Sequence, residues 1–162
     1  MKILGIDPGY DRLGIAIVEK YGNEKVIYSE CFETSSKEIF TDRLRKVGMK
    51  IREIIKKYSP DIMAIESLFI TKNQKTAMKV SEARGVIMYE AICKDIPIYE
   101  YTPLQVKMAI TGHGKSDKTQ IIKMLPLLVK MPNNKALDDE YDAIAIALAC
   151  IAYESKSFPQ VR

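Results

Sequence analysis

The chain has 162 residues, of which 47% are hydrophobic, and this length suits one globular domain with a single core. Its longest apolar runs, such as residues 143–151, are far shorter than the roughly 20 residues that a membrane-spanning helix needs. We therefore expect a single domain over residues 1–162 with no membrane contact. The 25 Lys and Arg exceed the 21 Asp and Glu by four, which is weak evidence for a polyanionic partner.

Two features of the sequence favour the cytoplasm. Asp7 lies inside what would be the apolar segment of a signal peptide, and no small-residue cleavage site follows it. The cysteines, Cys31, Cys93 and Cys150, are odd in number, widely spaced and set among apolar residues. That pattern indicates packed thiols in a reducing compartment, so we expect neither disulfides nor a cysteine metal site.

The first half of the chain predicts three strands and a helix. Residues 2–7 are mostly apolar and precede a Pro-Gly turn, as in a buried strand that ends sharply. Residues 12–19 and 25–32 are two further strand candidates with a hairpin turn between them. Apolar side chains spaced three and four apart over residues 40–58 predict an amphipathic helix, which Ser59-Pro60 ends.

The second half alternates strands with helices. The predicted elements are a strand at 61–66, a helix at 73–94, a strand at 96–101, a short helix from Pro103 to 110, a helix capped by Asp117 that runs to about 130, and a last helix from about Asp138. Three consecutive strands followed by this alternation predict an α/β domain with a five-stranded mixed sheet flanked by helices.

Acidic residues mark the ends of these elements. Asp7 closes the first strand, Glu66 closes the fourth, and Asp138, Asp139 and Asp142 open the last helix. Ligands of open α/β sheets bind beyond the carboxyl ends of the strands, so Asp7 and Glu66 face one site if their strands are neighbours. Asp139 and Asp142 are three apart and share a helix face, which allows them to complete the cluster.

Such a cluster favours a divalent cation. Three or four crowded carboxylates repel one another unless a cation holds them, and hard oxygen ligands suit Mg²⁺ or Mn²⁺. A site of this kind promotes phosphodiester hydrolysis, often with two ions. Each acid also has a structural interpretation: Asp7 as a turn residue, Glu66 as the point where a strand reaches solvent, and Asp138 and Asp139 as helix caps.

Five motifs add a family resemblance. They are Gly5-Ile6-Asp7-Pro8-Gly9, Ala64-Ile65-Glu66 with Phe69, Tyr101-Thr102-Pro103 with Val106-Lys107, Gly112-His113-Gly114 leading to Lys118 and Gln120, and Asp139 with Asp142-Ala143-Ile144-Ala145-Ile146-Ala147. In order and spacing they resemble the RuvC family of Holliday junction resolvases, over residues 3 to about 152. The resemblance implies an RNase H-like fold and a homodimer.

The same resemblance implies an endonuclease that resolves four-way DNA junctions in recombination and repair. It implies paired, symmetric nicks in two strands of like polarity, 5′-phosphate ends, and dependence on Mg²⁺, with Mn²⁺ able to replace it. We expect two ions per active site, with one ion as the alternative. RuvA and RuvB, the branch-migration proteins, are the partners that the resemblance suggests.

Carried over motif by motif, the resemblance assigns metal binding and catalysis to Asp7, Glu66, Asp139 and Asp142, and places Lys107 and Lys118 near the scissile phosphate. Asp138 competes with Asp139, because Asp138 lies one turn before Asp142. Alignment on Asp142-Ala143 favours Asp139.

Candidate DNA contacts surround these residues. Lys72, Lys75 and Lys79 lie three and four apart, and Lys115 lies in the loop 112–116. Phe69 is a candidate for stacking on an unpaired base, with ordinary packing as the alternative. We assign no role to His113. Gly85, inside a predicted helix, suggests close packing against another helix or a second subunit.

Three other functions are open on the sequence alone. One is a nuclease of the same fold that cuts RNA–DNA hybrids, and another is a junction-binding protein with a vestigial site. The third follows from residues 5–9, which also resemble the phosphate loop of sugar kinases and actin-like ATPases. Those proteins close two such domains over a nucleotide, whereas 162 residues supply one.

Overall fold

A five-stranded mixed sheet forms the centre of the molecule, and helices cover both of its faces. The computed structural model describes residues 1–68, 74–131 and 137–154. The elements are β1 (Lys2–Asp7), β2 (Arg12–Tyr21), β3 (Asn23–Glu33), α1 (Phe40–Tyr58), β4 (Ile62–Glu66), α2 (Gln74–Ile92), β5 (Ile98–Tyr101), α3 (Pro103–Thr111), α4 (Lys118–Leu128) and α5 (Asp138–Glu154). The strand order is β3-β2-β1-β4-β5. This confirms the predicted fold class.

The strand directions bring β1 and β4 side by side. β1 pairs antiparallel with β2 and parallel with β4, and β4 pairs parallel with β5. The register sets Ile6 opposite Ile65, so that Asp7 and Glu66 are the next residues of two neighbouring parallel strands. The sequence analysis required β1 and β4 to be neighbours if Asp7 and Glu66 were to face one site, and the two strands are neighbours.

Side-chain alternation divides the core into two layers. One face of the sheet presents Ile3, Ala16 and Ala64 to α3, α4 and α5. The opposite face presents residues such as Leu4 and Ile65 to α1 and α2. Asp7 follows Ile3 and Gly5 on the first face, and Glu66 follows Ala64 on the same face, so both acids point toward α5.

Two glycines let α5 lie directly against the sheet. A Cβ on Gly5 would lie 2.1 Å from the carbonyl oxygen of Ala143, and a Cβ on Gly14 would lie 2.2 Å from that of Asp139. Neither position has room for a side chain. The N-terminal half of α5 is thereby held beside the end of β1, where Asp7 lies.

The element boundaries differ from the prediction at three places. β2 and β3 are longer than predicted, so that one residue, Gly22, separates them in the hairpin turn. Its φ is 74°. The second long helix ends at Ile92, and Asp95 takes a left-handed φ of 54° in the turn that follows. β5 starts at Ile98, directly after a proline, which has no N–H for strand pairing. Asp117 caps α4 as predicted, by accepting a hydrogen bond from the N–H of Gln120.

One expectation about packing, that for the cysteines, is wrong, and the expectation for Gly85 is not met by the described residues of its own chain, which leaves the second subunit as a prediction. Cys150 is buried, but Cys93 is exposed, and Cys31 is half-buried beside a carboxylate rather than in apolar surroundings. Gly85 is not packed against a helix of its own chain, because a Cβ there would meet no atom within 4 Å. The close helix contact is made by Gly48 of α1, where a Cβ would lie 2.9 Å from Cγ1 of Val86. Within the described residues, no helix is long and apolar enough to cross a membrane.

Candidate active site

A cleft opens at the carboxyl ends of β1 and β4, beneath α5. Its cavity volume is about 140 Å³. The lining combines three acids and a lysine with apolar side chains of α3, α4 and α5, and consists of Asp7, Glu66, Pro103, Val106, Lys107, Ile121, Asp142, Ala145 and Ile146. Three acids that lie up to 135 positions apart in the chain (Asp7 to Asp142) thus meet at one place, as the sequence predicted.

Burial and crowding strongly perturb two of these acids. Burial, followed by the charges of Glu66, Asp142 and Asp139, raises the pKa of Asp7 to about 7. Burial and the charge of Asp142 raise the pKa of Glu66 to about 7. Within the described residues, neither carboxylate has a hydrogen-bond or ion-pair partner. Near neutral pH these acids exchange protons readily, and a cation in the cleft would compete with those protons.

A lysine of α4 neutralises the third acid of the cleft. Nζ of Lys118 lies 2.8 Å from Oδ2 of Asp142 and 3.6 Å from Oδ2 of Asp138. Burial by itself would lower the pKa of Lys118, but the hydrogen bond and the charge of Asp142, followed by the charges of the two neighbouring acids, raise it. The ammonium group of Lys118 therefore balances the negative charge of Asp142, which lines the cleft.

Asp139 is engaged from the opposite side by two residues that the sequence analysis missed. Nη2 of Arg12 lies 2.5 Å from Oδ2 of Asp139, and the thiol of Cys31 donates a 3.6 Å hydrogen bond to the same oxygen. Cys31 pairs with Gly14, which in turn pairs with Asp7 across the sheet. Arg12 is two residues from Gly14 and shares its face, so strand alternation contained a signal for this contact.

The acids therefore fit a divalent cation by chemistry, but not by their present side-chain geometry. Carboxylate oxygens are the donors that Mg²⁺ and Mn²⁺ prefer. Among the described residues, however, no group of three or more Asp, Glu, His or Cys side chains is arranged to hold an ion. The backbone positions determine how close together the acids lie. The geometry of metal coordination also depends on the side-chain rotamers of Asp142 and Asp139, which pair with Lys118 and Arg12.

The structure places the remaining basic candidates at different distances from the cleft. Lys107 is half-buried and lines the cleft, and Lys115 is exposed in the neighbouring loop. Lys75 is exposed on α2. Nζ of Lys79 lies 5.1 Å from the ring centroid of Phe40 and 5.6 Å from that of Tyr10.

Some sequence candidates contribute no observed contact to the cleft. His113 is exposed, as expected of a residue with no assigned role. Its loop is held by Thr111, whose hydroxyl lies 2.7 Å from that of Ser116. Phe69 and Lys72 lie outside the described residues.

The strand order and the acid-lined cleft define an RNase H-like domain, and comparisons with known proteins identify its family. The family model for crossover junction endodeoxyribonuclease RuvC matches residues 3–150. The chain belongs to the RuvC family. The curated relative of that name from Thermosipho melanesiensis is 46% identical over 157 residues, or 96% of this chain and 99% of the relative. Its counterpart from Caldicellulosiruptor saccharolyticus is 47% identical over 157 residues, or 96% of this chain and 95% of the relative.

Solved structures agree with this assignment. Thermus thermophilus RuvC, determined in complex with a Holliday junction substrate, superposes with a TM-score of 0.90 at 29% identity. The match covers 97% of this chain and 96% of that one. The yeast mitochondrial Holliday junction resolvase Ydc2 superposes with a TM-score of 0.73 at 12% identity, covering 95% and 79% of the two chains. That second likeness concerns the fold alone.

Proposed function

We propose that this protein is a Holliday junction resolvase, an endodeoxyribonuclease that cuts four-way DNA junctions in homologous recombination and repair. The observation that carries the proposal is the convergence of Asp7, Glu66 and Asp142 in one cleft with Lys107. Membership of the RuvC family supports the reaction class. The likeness to Thermus thermophilus RuvC in complex with a Holliday junction supports the substrate. Residues 1–162 form one nuclease domain in this proposal.

The proposed cofactor is Mg²⁺, with Mn²⁺ as a substitute and two ions per site. Its ligands are Asp7, Glu66 and Asp142, with Asp139 as the fourth once that carboxylate is released from Arg12. Bound ions of this type supply hydroxide from water and stabilise the leaving oxygen. Raised pKa values at Asp7 and Glu66 support the assignment, because both carboxylates are costly to ionise without a counter-charge.

Lys107 and Lys118 are the proposed catalytic cations. Lys107 is half-buried among the apolar residues of the cleft, where its charge acts in a less polar medium than water. Lys118 forms an ion pair with Asp142, and we propose that its ammonium group pairs with a phosphate oxygen when DNA binds. Both would stabilise negative charge as it develops on the phosphate.

The proposed DNA path runs from the cleft over exposed basic residues. Lys75 and Lys115 project into solvent, and Lys79 keeps its charge at the surface against two aromatic rings. Phe69 is assigned to the same path on the family motif alone, and Lys72 on its spacing with Lys75 and Lys79 in the sequence. Phosphate contacts by lysine release counterions, so junction binding should weaken steeply with salt.

A homodimer is proposed to deliver paired, symmetric nicks. One face of α2 exposes apolar or small residues at heptad-like spacing, namely Met78, Gly85, Tyr89 and Ile92. A Cβ on Gly85 would meet no atom of the described residues within 4 Å, so a second backbone has room to approach closely. A two-fold dimer would present two sites to the two-fold junction, cutting strands of like polarity and leaving 5′-phosphate ends.

The dimer has its own test. Tyr89→Lys should shift the sedimentation coefficient to that of a monomer, because it sets a charge in the middle of the proposed interface. Tyr21→Lys is the matched control, since Tyr21 is 84% exposed on the distant β2–β3 hairpin. A dimeric Tyr89→Lys variant would contradict an interface through α2.

Two further proposals rest on family membership. RuvA and RuvB are the expected branch-migration partners, and a cytoplasmic location is expected for a protein with an exposed cysteine thiol. Co-purification of the full-length protein with each partner on junction DNA would test the first. Fractionation of the source cells would test the second.

The decisive experiment is cleavage of a synthetic four-way junction with each strand labelled in turn. We expect nicks at equivalent positions in two strands of like polarity, dependent on Mg²⁺, abolished by chelation and sealed by DNA ligase. Asp7→Asn and Glu66→Gln should stop cutting while leaving junction binding intact. Retained cutting by both variants would refute the site.

The same assay separates the rival functions. An RNA–DNA hybrid duplex of equal length serves as the comparison substrate, and preferential cutting of the hybrid would contradict the proposal. Binding of a junction without any nick under all divalent ions would favour a vestigial site. Binding of ATP by the DNA-free protein would favour the kinase-like alternative.

A further inference from the structure

We propose that Arg84 is a positioning residue for Glu66, which it reaches from α2 on the opposite face of the sheet; this inference rests on the proposed function. Nε of Arg84 donates a 3.3 Å hydrogen bond to the backbone carbonyl of Glu66. The side chain is 16% exposed, and its Nη2 lies 2.5 Å from Oε2 of Glu100 on β5. One side chain thus connects α2, the end of β4 and the edge strand.

The Glu66 carbonyl needs this donor because the strand ladder cannot supply one. The N–H of Ser67 donates to the carbonyl of Tyr101 on β5, at 2.9 Å. The carbonyl of Glu66 and the N–H of Ser67 belong to one trans peptide group and point in opposite directions, so the Glu66 carbonyl points toward β1.

On the β1 side the expected donor is missing. The parallel register sets Ile6 opposite Ile65, so the N–H that would reach the Glu66 carbonyl is that of residue 8. Residue 8 is proline, which has no N–H. A carbonyl in this partly buried position is costly without a partner. Arg84 supplies the partner from outside the sheet.

The effect on the site follows from the place of this bond in the chain. Glu66 is the last residue of β4; it pairs with Tyr101 of β5, whereas the register with β1 ends one residue earlier, at Ile65. Groups that fix the orientation of a metal ligand typically change metal affinity by 10- to 100-fold when they are removed. We infer that Arg84 sets the direction in which the Glu66 carboxylate enters the cleft.

The binding of Mn²⁺ to the DNA-free protein, followed by electron paramagnetic resonance, tests this role without relying on cleavage. Arg84→Met keeps the length of the side chain but removes its donors, and we expect Mn²⁺ affinity to fall about tenfold or more. Arg84→Lys, which retains one charged donor, should recover part of that loss. The Mg²⁺ concentration for half-maximal cutting should rise in the same order.

A matched control separates positioning from stability. Arg52 donates hydrogen bonds of 2.9 and 2.8 Å to Glu90 of α2, and this pair lies between α1 and α2. Arg52→Met should lower the melting temperature without changing Mn²⁺ affinity. A folded Arg84→Met variant with wild-type Mn²⁺ affinity would overturn the proposal.

A second variant keeps the test open if Arg84→Met does not fold. Glu100→Gln removes the charged partner of Arg84 from a carboxylate that is 48% exposed, and should weaken Mn²⁺ binding. Glu38→Gln removes the same charge from the surface pair with Lys46 and should not. Equal effects of these two variants would overturn the proposal. A wild-type protein that binds Mn²⁺ but never cuts a junction would refute the proposed function instead.

Discussion

The ammonium group of Lys118 lies 2.8 Å from Oδ2 of Asp142, inside the group of acids proposed to hold metal ions. Lys118 of α4 thus forms an ion pair with a carboxylate of α5 that would otherwise be available to a divalent cation. Lys118 and a divalent ion compete for Asp142, since both cannot lie within contact distance of each other without strong repulsion.

Replacing Lys118 should therefore separate metal binding from cutting. In Lys118→Met, we expect Mn²⁺ to bind the DNA-free protein about five- to tenfold more tightly, because loss of a competing charge in a partly exposed site is worth about 1 kcal/mol or more. Cutting should be lost. Titration by electron paramagnetic resonance gives the first result, with the exposed Lys115→Met as the control for affinity. Weaker Mn²⁺ binding in Lys118→Met would contradict the competition.

Amide substitutions should decide which acid of the first turn of α5 acts in the site. The Asp138 side chain is 69% exposed and faces Lys118, whereas that of Asp139 is 23% exposed and close enough to raise the pKa of Asp7. We expect Asp139→Asn to lower the rate of junction cutting at least about tenfold more than Asp138→Asn does. Single-turnover cleavage measures both. The reverse order would assign the role to Asp138.

The raised pKa of Asp7 predicts how stability depends on pH in the absence of divalent ions. The carboxyl group loses its proton near pH 4 in the unfolded chain and near pH 7 in the folded one, so the folded state holds more protons between these values. Its stabilising contribution is fully present below about pH 4 and is lost as the pH rises through about 7.

Asp7→Asn should remove that dependence. One unit of pKa corresponds to about 1.4 kcal/mol, so the variant should exceed the wild type in free energy of unfolding at pH 8 by at least about 1 kcal/mol. At pH 4 the two should be nearly equal. Urea titrations in EDTA provide the measurement, with Asp42→Asn as a surface control. A variant that is less stable than the wild type at pH 8 would be inconsistent with this electrostatic picture.

Gly14→Ala should disturb the site through the backbone. The added Cβ would lie 2.2 Å from the carbonyl oxygen of Asp139, so that the start of α5 must move away from the sheet. We expect a loss of about 1 to 3 kcal/mol in the free energy of unfolding, together with a loss of cutting. Thermal unfolding and the junction assay test both. A Gly14→Ala variant with wild-type stability and wild-type cutting would contradict this close packing of α5 on the sheet.

Much of the fold follows from local patterns. Apolar runs and turn residues located all five strands, and a Pro-Gly turn after Asp7 marked the end of β1 correctly. The meeting of Asp7 with Glu66 was predictable, because strands that alternate with helices become parallel neighbours whose carboxyl ends share an edge. Asp142 was predictable from its place directly before the apolar run of residues 143–151 in the last helix.

The contacts that control these acids were not predictable in the same way. The pairing of Lys118 with Asp142, and of Arg12 with Asp139, joins residues that are distant in the chain and depends on side-chain rotamers. Strand alternation indicates which face Arg12 occupies, but no sequence periodicity encodes the distance from Arg12 to Asp139 or from Lys118 to Asp142. The prediction of packed cysteines was wrong for a related reason. Apolar residues that flank Cys93 in the sequence do not bury it in the fold, and the residue is exposed.

Helix α5 is synthesised after all five strands of the sheet that it covers. Asp7 on β1 is synthesised well before α5, which supplies Asp142 and also covers one face of the sheet. Before that helix leaves the ribosome, the growing polypeptide has neither a complete cleft nor a closed core. A fragment that ends before α5 lacks Asp142 and leaves one face of the sheet uncovered, so we expect it to have no nuclease activity.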